Sequence, residues 1–275
     1  MKKETMLEHF STLVTQLQLV SATDHINVDF STFCGYQVLT FAKQTSLGRA
    51  IPVYIAAITY PIEHPGSQTQ FIIAEVKKAV TLFHCSPHFV FDRGFELPYL
   101  ADYLVKERIS FTIRMRKDKH VLYLKKDIPL RNLPWFADDV LVDIYEKQLR
   151  IVRSEKKKDM KEPWYLLTND LIHTRDHVIA SYYFRFEIEE TFKDLKYIFD
   201  LKQFYRIKTK QTFLILLWFY ILGIWLSFLL PCAASYIQKR IVINVHKKLS
   251  IPRLFFEQLQ LEKNFLFLST IPPSL

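Results

Sequence analysis

The chain has 275 residues, 49% of them hydrophobic, 15% aromatic and 24% charged, with a formal net charge of +9. A sizeable core is available, and the basic balance favours nucleic acid or an acidic membrane surface as partner. Cys34, Cys85 and Cys232 share no short spacing, which argues against a zinc module or a disulfide framework and fits a reducing cytosol; Met1-Lys2-Lys3-Glu4-Thr5 begins no apolar leader.

Met1 to Ser21 carries Met6, Phe10, Leu13, Val14 and Leu17 at helical spacing and predicts a helix. Ile26 to Phe30 predicts a short strand ending near Asp29, and Tyr36 to Ala42 and Ala50 to Ile58 predict two more, with a turn at Gly48-Arg49. A loop at Pro61 to Gly66 leads into an amphipathic helix over Gln68 to Phe83. His88 to Phe91 predicts a strand that stops at the turn signal Asp92-Arg93-Gly94. A helix over Leu97 to Lys106, a strand over Ser110 to Met115 and a basic run from Arg114 to Lys119 follow. The order β-β-β-α-β-α-β implies an antiparallel meander extended by parallel strands with crossover helices.

From His120 to Asn169 the pattern is mainly β, with strands predicted over Val121 to Leu124, Val140 to Val152 and Trp164 to Thr168, and the block reads as an insertion. Helices resume over Arg175 to Phe199 and from Thr212 to about Leu230, and one more is predicted over Arg253 to Leu259. Phe213 to Leu230 is 18 residues without a charge, the lower limit for a membrane span. Basic residues flank it on both sides, and Trp218, Tyr220 and Trp225 lie inside the run rather than at its edges. Taken alone, it fits a membrane helix and a buried core helix equally.

The stretch Tyr182 to Lys196 carries the chemistry. Read as one helix, it projects Tyr182, Arg185, Glu189 and Lys196 at about 0°, 300°, 340° and 320°, so one arc bears a phenol, a guanidinium, a carboxylate and an ammonium. Phe184, Ile188, Leu195 and Phe199 form an apolar stripe on the opposite side, able to dock on a sheet. Asp29 and Asp92 each fall near a predicted strand end, where sites in mixed sheets gather. Three convergent carboxylates repel one another unless a hard divalent cation lies between them, and Mg²⁺ suits such sparse oxygen ligation. Singly, the two aspartates also fit turn positions and the helix residues a solvated face.

The spacing of Tyr182, Arg185, Glu189 and Lys196, with two, three and six residues between successive members, resembles the tyrosine–arginine–glutamate–lysine signature of bacterial insertion-sequence DDE transposases of the IS-four group. Val90-Phe91-Asp92-Arg93-Gly94-Phe95 resembles the family's second-aspartate region, and Ser110-Phe111-Thr112-Ile113-Arg114 the strand after it. Val28-Asp29-Phe30-Ser31-Thr32, followed by Leu47-Gly48-Arg49-Ala50-Ile51-Pro52, resembles the first-aspartate region.

The resemblance implies an α/β fold: a ribonuclease-H-like mixed sheet flanked by helices, with a β-rich insertion before the glutamate helix. It implies a helical remnant over 1–24, the catalytic core over 25–118 and 171–232, the insertion over 119–170 and a tail over 233–275. It further implies cleavage at transposon ends and strand transfer into target DNA. Asp29, Asp92 and Glu189 would hold two Mg²⁺ ions, for which Mn²⁺ can substitute. Tyr182, Arg185 and Lys196 would contact DNA phosphates. The expected setting is the bacterial cytoplasm at the nucleoid, on double-stranded DNA, as a homodimer and without a membrane, the apolar helix packing on the core. Only 28 residues precede Asp29, where family members carry a helical DNA-binding region, which reads as an N-terminally truncated copy. The alternatives are an inactive DNA-binding remnant or a protein anchored in a membrane by 213–230. Asp24 competes with Asp29, and Glu187 and Glu190 with Glu189. His84, Cys85 and His88 fit no zinc spacing.

Overall fold

A computed structural model describes residues 3–45, 48–59, 67–155, 162–197, 207 and 209–229. The chain opens with α1 (Lys3–Gln16) and a meander of β1 (His25–Phe33), β2 (Tyr36–Lys43) and β3 (Ile51–Thr59). It continues through α2 (Ser67–Phe83), β4 (His88–Phe91), α3 (Pro98–Lys106) and β5 (Phe111–Met115). Five strands follow: β6 (His120–Tyr123), β7 (Lys126–Pro129), β8 (Asp139–Ile144), β9 (Lys147–Arg153) and β10 (Tyr165–Thr168). Three helices complete the described chain: α4 (Arg175–Tyr183), α5 (Phe186–Tyr197) and α6 (Lys210–Leu229).

All ten strands join one mixed sheet in the order β3-β2-β1-β4-β5-β10-β9-β8-β6-β7. The meander is antiparallel, and β4 and β5 extend it in parallel through the crossover helices α2 and α3. Strands β10, β9 and β8 continue it antiparallel, so residues 120–168 build on the same hydrogen-bonded ladder. Period-two alternation divides the burial of adjacent residues. Ile26, Val28, Phe89 and Phe91 enter the principal core with residues of α1, α2, α3 and α6. Val90, Val152 and Leu166 instead form a second cluster with Trp164 and, from α4, Val178 and Tyr182.

Four sequence expectations need correction. The strand expected to stop near Asp29 runs on to Phe33, because its antiparallel bonds to β2 continue after those to β4 end. The single strand expected over Val140 to Val152 is the β8–β9 hairpin, and β7 adds another after β6. Both hairpins reverse through pairs with positive φ: Leu124 and Lys125 at 49° and 62°, Tyr145 and Glu146 at 53° and 59°. Such pairs usually contain Gly or Asn, and these contain neither. The helix expected over Arg175 to Phe199 breaks at Phe184-Arg185, and Phe199 lies outside the described residues. Finally, the arc expected to face away from the core holds Tyr182 and Arg185, which are buried.

The apolar run forms α6 and packs on β3 and α1. Phe213, Leu217, Ile221, Ile224 and Trp225 are buried at helical spacing. Trp218 stacks on Phe10, and Trp225 donates its indole N–H to Pro52 O at 2.6 Å. No helix among the described residues is long and apolar enough to cross a membrane. Leu230, Cys232 and the expected helix over Arg253 to Leu259 lie outside the described residues.

Candidate active site

Asp29 and Asp92 sit level with each other because β1 and β4 are in parallel register. Four successive pairs, His25↔His88 to Val28↔Phe91, hold one offset, and the next step along it pairs Asp29 with Asp92. The ladder ends there, where the chain turns out of β4 through Arg93–Phe95. Asp92 occupies the cap position of that turn, yet its carboxylate makes no capping bond. It accepts instead from the Tyr182 hydroxyl at 3.3 Å.

Helix α4 delivers Tyr182, and the turn that follows it Arg185, to the point where the β1–β4 pairing stops. The Arg185 guanidinium spans two carboxylates: Nη1 donates to Asp29 Oδ2 at 3.3 Å and Nη2 to Glu189 Oε1 at 2.6 Å. Asp29 also accepts from the Phe30 N–H at 2.7 Å through Oδ1. The guanidinium lies 4.8 Å from the Phe186 ring centroid and 5.8 Å from that of Tyr182. Tyr182 and Arg185 are 0% and 2% exposed, whereas the Glu189 side chain is 44% exposed and faces outward. The cluster therefore has a buried guanidinium and phenol beneath a mostly buried Asp29, with Glu189 at its open side.

The electrostatics follow from this arrangement. Burial pushes the Asp29 carboxyl up to about 6; Arg185 and the Phe30 N–H oppose that, and Asp92 and Glu189 reinforce it. Burial also raises the Tyr182 phenol, opposed by Arg185 and reinforced by Asp92. Burial alone would lower Arg185, but Tyr182, Asp92, Asp29 and Glu189 together carry it upward. Asp29, Asp92, Glu189, Tyr182 and Arg185 thus act on one another as a single electrostatic unit.

The break between α4 and α5 makes this geometry. Around it the backbone bonds shorten to i→i+3, with Arg185 N donating to Tyr182 O and Ile188 N to Arg185 O. Two amides of the β1–β2 layer take the diverted carbonyls. Asn27 Nδ2 donates to Phe184 O at 3.0 Å, and Gln44 Nε2 donates to Ser181 O at 3.0 Å and to Asn27 Oδ1 at 2.7 Å. Asn27 is wholly buried. Buried polar groups are kept where partners satisfy them, so these amides and the break require each other.

Helix α5 is then clamped to the β2–β3 connection. Glu187 accepts from the N–H groups of Thr45 at 2.9 Å and Gly48 at 3.0 Å, Thr191 donates to Ala50 O, and Arg49 pairs with Asp194 at 2.7 Å. Gly48 has φ +79°, a conformation costly for any side chain. The rival carboxylates are thereby engaged elsewhere: Glu187 in this clamp, Glu190 with Arg49 and Lys193, and Asp24 with Lys43 at 2.8 Å near the opposite end of β1. Lys196 lies apart from the carboxylates, its Nζ 5.2 Å from the Phe33 ring centroid. Phe33 is four residues beyond Asp29, about 13 Å along the strand.

Sequence reasoning named all six residues, and the structure brings five of them together. It missed Asn27, Gln44 and the Glu187 clamp. Asn27 carried a signal: a polar residue between Ile26 and Val28, on the same strand face as Asp29.

The residues matched to a known family are 68–223, and the family is described as a transposase DDE domain. The chain belongs to the transposase DDE domain family. The matched span covers more than half of the chain and includes Asp92, Tyr182, Arg185, Glu189 and Lys196, while Asp29 precedes it. No curated protein matches the chain. Among solved structures, a cryo-electron-microscopy structure of the piggyBac transposase synaptic complex with hairpin DNA is similar at 12% identity and a TM-score of 0.45. The alignment covers 93% of this transposase-family chain and 55% of that chain, so the present chain spans about half of that protein's length.

The carboxylates fit a divalent cation by their chemistry. All three present oxygen ligands, the preference of Mg²⁺ and Mn²⁺. Burial is the main cause of the raised Asp29 carboxyl, with Asp92 and Glu189 adding to it against Arg185. Among the described residues no group of three or more His, Cys, Asp or Glu side chains is arranged to hold a metal ion. Between Asp29 and Glu189 stands the guanidinium.

Proposed function

We propose that this transposase-family protein cleaves DNA strands at transposon ends and joins them to target DNA, using Asp29, Asp92 and Glu189 as its acidic triad. The observation that carries the reading is the bridge from Asp29 through Arg185 to Glu189, with Tyr182 on Asp92 beside it. The meander-plus-parallel order of β1 to β5 agrees with a ribonuclease-H-like core, and the spacing of Tyr182, Arg185, Glu189 and Lys196 with the IS-four group.

In this reading Asp29, Asp92 and Glu189 would hold Mg²⁺, which would supply Lewis acidity to phosphoryl transfer. Water attacks a phosphodiester and releases a 3′-hydroxyl; that hydroxyl then attacks a target phosphodiester, forming one P–O bond as another breaks. The protein's part is placement. The register of β1 and β4 sets two aspartates side by side, and the helix break presents Glu189 opposite them. Tyr182 orients Asp92, and Arg185 orients both Asp29 and Glu189. Lys196 would contact a phosphate flanking the scissile one. Double-stranded DNA is the partner and a homodimer its assembled form.

Nicking of a supercoiled plasmid carrying the element's ends, in Mg²⁺ or Mn²⁺, tests the reading. Glu189→Ala is expected to abolish nicking while DNA affinity stays within about twofold, since the lost group is a carboxylate rather than a phosphate contact. Undiminished nicking removes Glu189 from the site. DNA binding without cleavage by the unaltered protein would favour a non-catalytic DNA-binding role.

A further inference from the structure

We propose that Arg185 is an internal counter-cation that holds Asp29 and Glu189 together without metal and competes with the divalent ion for both; the inference rests on the metal-site reading above. The guanidinium is almost wholly buried, an unfavourable place for a charge unless the partners around it are strong. Its Nη1 and Nη2 are committed to carboxylates from two different elements, β1 and α5. Its Nε is buried with no hydrogen-bond acceptor. Two of its nitrogens thus donate to proposed metal ligands, the outward-facing Glu189 and the mostly buried Asp29, and the third is left without a partner.

The physical consequence is competition. A guanidinium and a divalent ion that share two carboxylates repel each other at close range, where charge interactions in partly buried sites are strong. Arg185 therefore lowers the affinity of the triad for metal and also prevents the carboxylates from driving each other apart while metal is absent. Once metal takes Asp29 and Glu189, the guanidinium is released toward other acceptors. Lysine in this position would keep the charge but lose the fork that spans two carboxylates.

Mg²⁺ and Mn²⁺ binding by calorimetry, together with thermal unfolding in EDTA, separates this role from a merely structural one. Arg185→Gln is expected to bind Mn²⁺ about tenfold more tightly than wild type or better. Its Tm in EDTA should fall, and saturating Mg²⁺ should raise it by more than it raises that of wild type. Arg185→Lys should keep an affinity within about threefold of wild type, because the charge remains. Equal or weaker metal binding by a folded Arg185→Gln protein would overturn the proposal. Should that variant not fold, the Arg185 Nε–H resonance of the wild-type chain decides. It must shift with the same Mg²⁺ midpoint as the calorimetric binding, and an unmoved resonance overturns the proposal. If wild type binds no divalent ion at all, the metal-site reading itself fails, an outcome distinct from wild-type binding that Arg185→Gln does not strengthen.

Discussion

Strands β1 and β4 carry histidines where their mutual pairing begins and aspartates where it gives out, and the two ends of that pairing solve the same crowding problem in opposite ways. At the entry, His25 pairs in register with His88, their ring centroids 4.9 Å apart. His177 from α4 lies 5.7 Å from His25 and stacks at 4.3 Å on His173. For His25 and His88 the charged form is disfavoured. Burial, reinforced by His25, holds His88 down at about 3, and burial reinforced by His177 lowers His25. The His88 Nε2 shares a hydrogen bond with Thr112 at 2.8 Å, while Asp170, held at about 2 by the His173 and Ile172 N–H groups against the effect of burial, takes the His173 ring. Asp24, paired with Lys43, completes the charged surroundings. At the exit, a guanidinium sits between two of the carboxylates. Imidazoles can give up their charge at physiological pH, whereas the clustered carboxylates keep a cation among them, the Arg185 guanidinium.

The largest expected effect tests that contrast directly. Asp92→Asn should lower nicking by at least about a thousandfold, as loss of a metal ligand from a coupled site does. His88→Gln, four residues earlier on the same strand, should leave nicking within a few-fold. Comparable losses in both variants, measured on the same plasmid, would erase the distinction between the two ends.

Between the ends lies Asn27, the amide that holds the break of α4 and α5. Asn27→Ala leaves Phe184 O without its side-chain donor and removes a partner of Gln44. The expected cost is about 1–3 kcal/mol of stability by urea unfolding. Nicking should fall with it, because Arg185 and Glu189 flank the break. Unchanged nicking at reduced stability would show that the break does not position the acidic end.

A smaller effect concerns pH. His88 has a folded-state value below its unfolded one, so the unfolded chain binds the proton first as pH falls below about 6.5. Stability is lost as pH drops, by about 2 kcal/mol between pH 6.5 and 5 from this group. Asp29, raised to about 6, contributes in the opposite direction: the folded state takes up its proton first, and stability is lost as pH rises through the interval from 3.8 to 6. The two ends therefore partly cancel in wild type. The stability of wild type minus that of His88→Gln should become more negative by about 2 kcal/mol from pH 6.5 to 5. A constant difference would mean that His88 is protonated in the folded protein.

Much of this organisation was legible in the sequence where the cause is local. The meander, the crossover helices and the turn at Asp92 follow from β-branched runs, helical periodicity and a turn signal. Long-range causes were hidden. The helix breaks at Phe184-Arg185 without Gly or Pro, because Asn27 and Gln44, more than 130 residues earlier, supply the donors that make the break favourable. The hairpin turns at Leu124-Lys125 and Tyr145-Glu146 were invisible because the residues there do not advertise a positive φ. His88 read as a neighbour of His84 and Cys85, but its ring meets His25, a relation that only strand register creates. The apolar run of α6 could not be told from a membrane span by composition; in the fold it packs a buried stripe against α1 and β3.

Anomalous diffraction from crystals grown with Mn²⁺ and DNA tests the central claim most directly. The account predicts manganese bounded by oxygens of Asp29, Asp92 and Glu189 at about 2.0–2.2 Å, with the Arg185 guanidinium withdrawn from at least one of them. Manganese bound elsewhere, or a triad left on Arg185 with DNA in place, would contradict it.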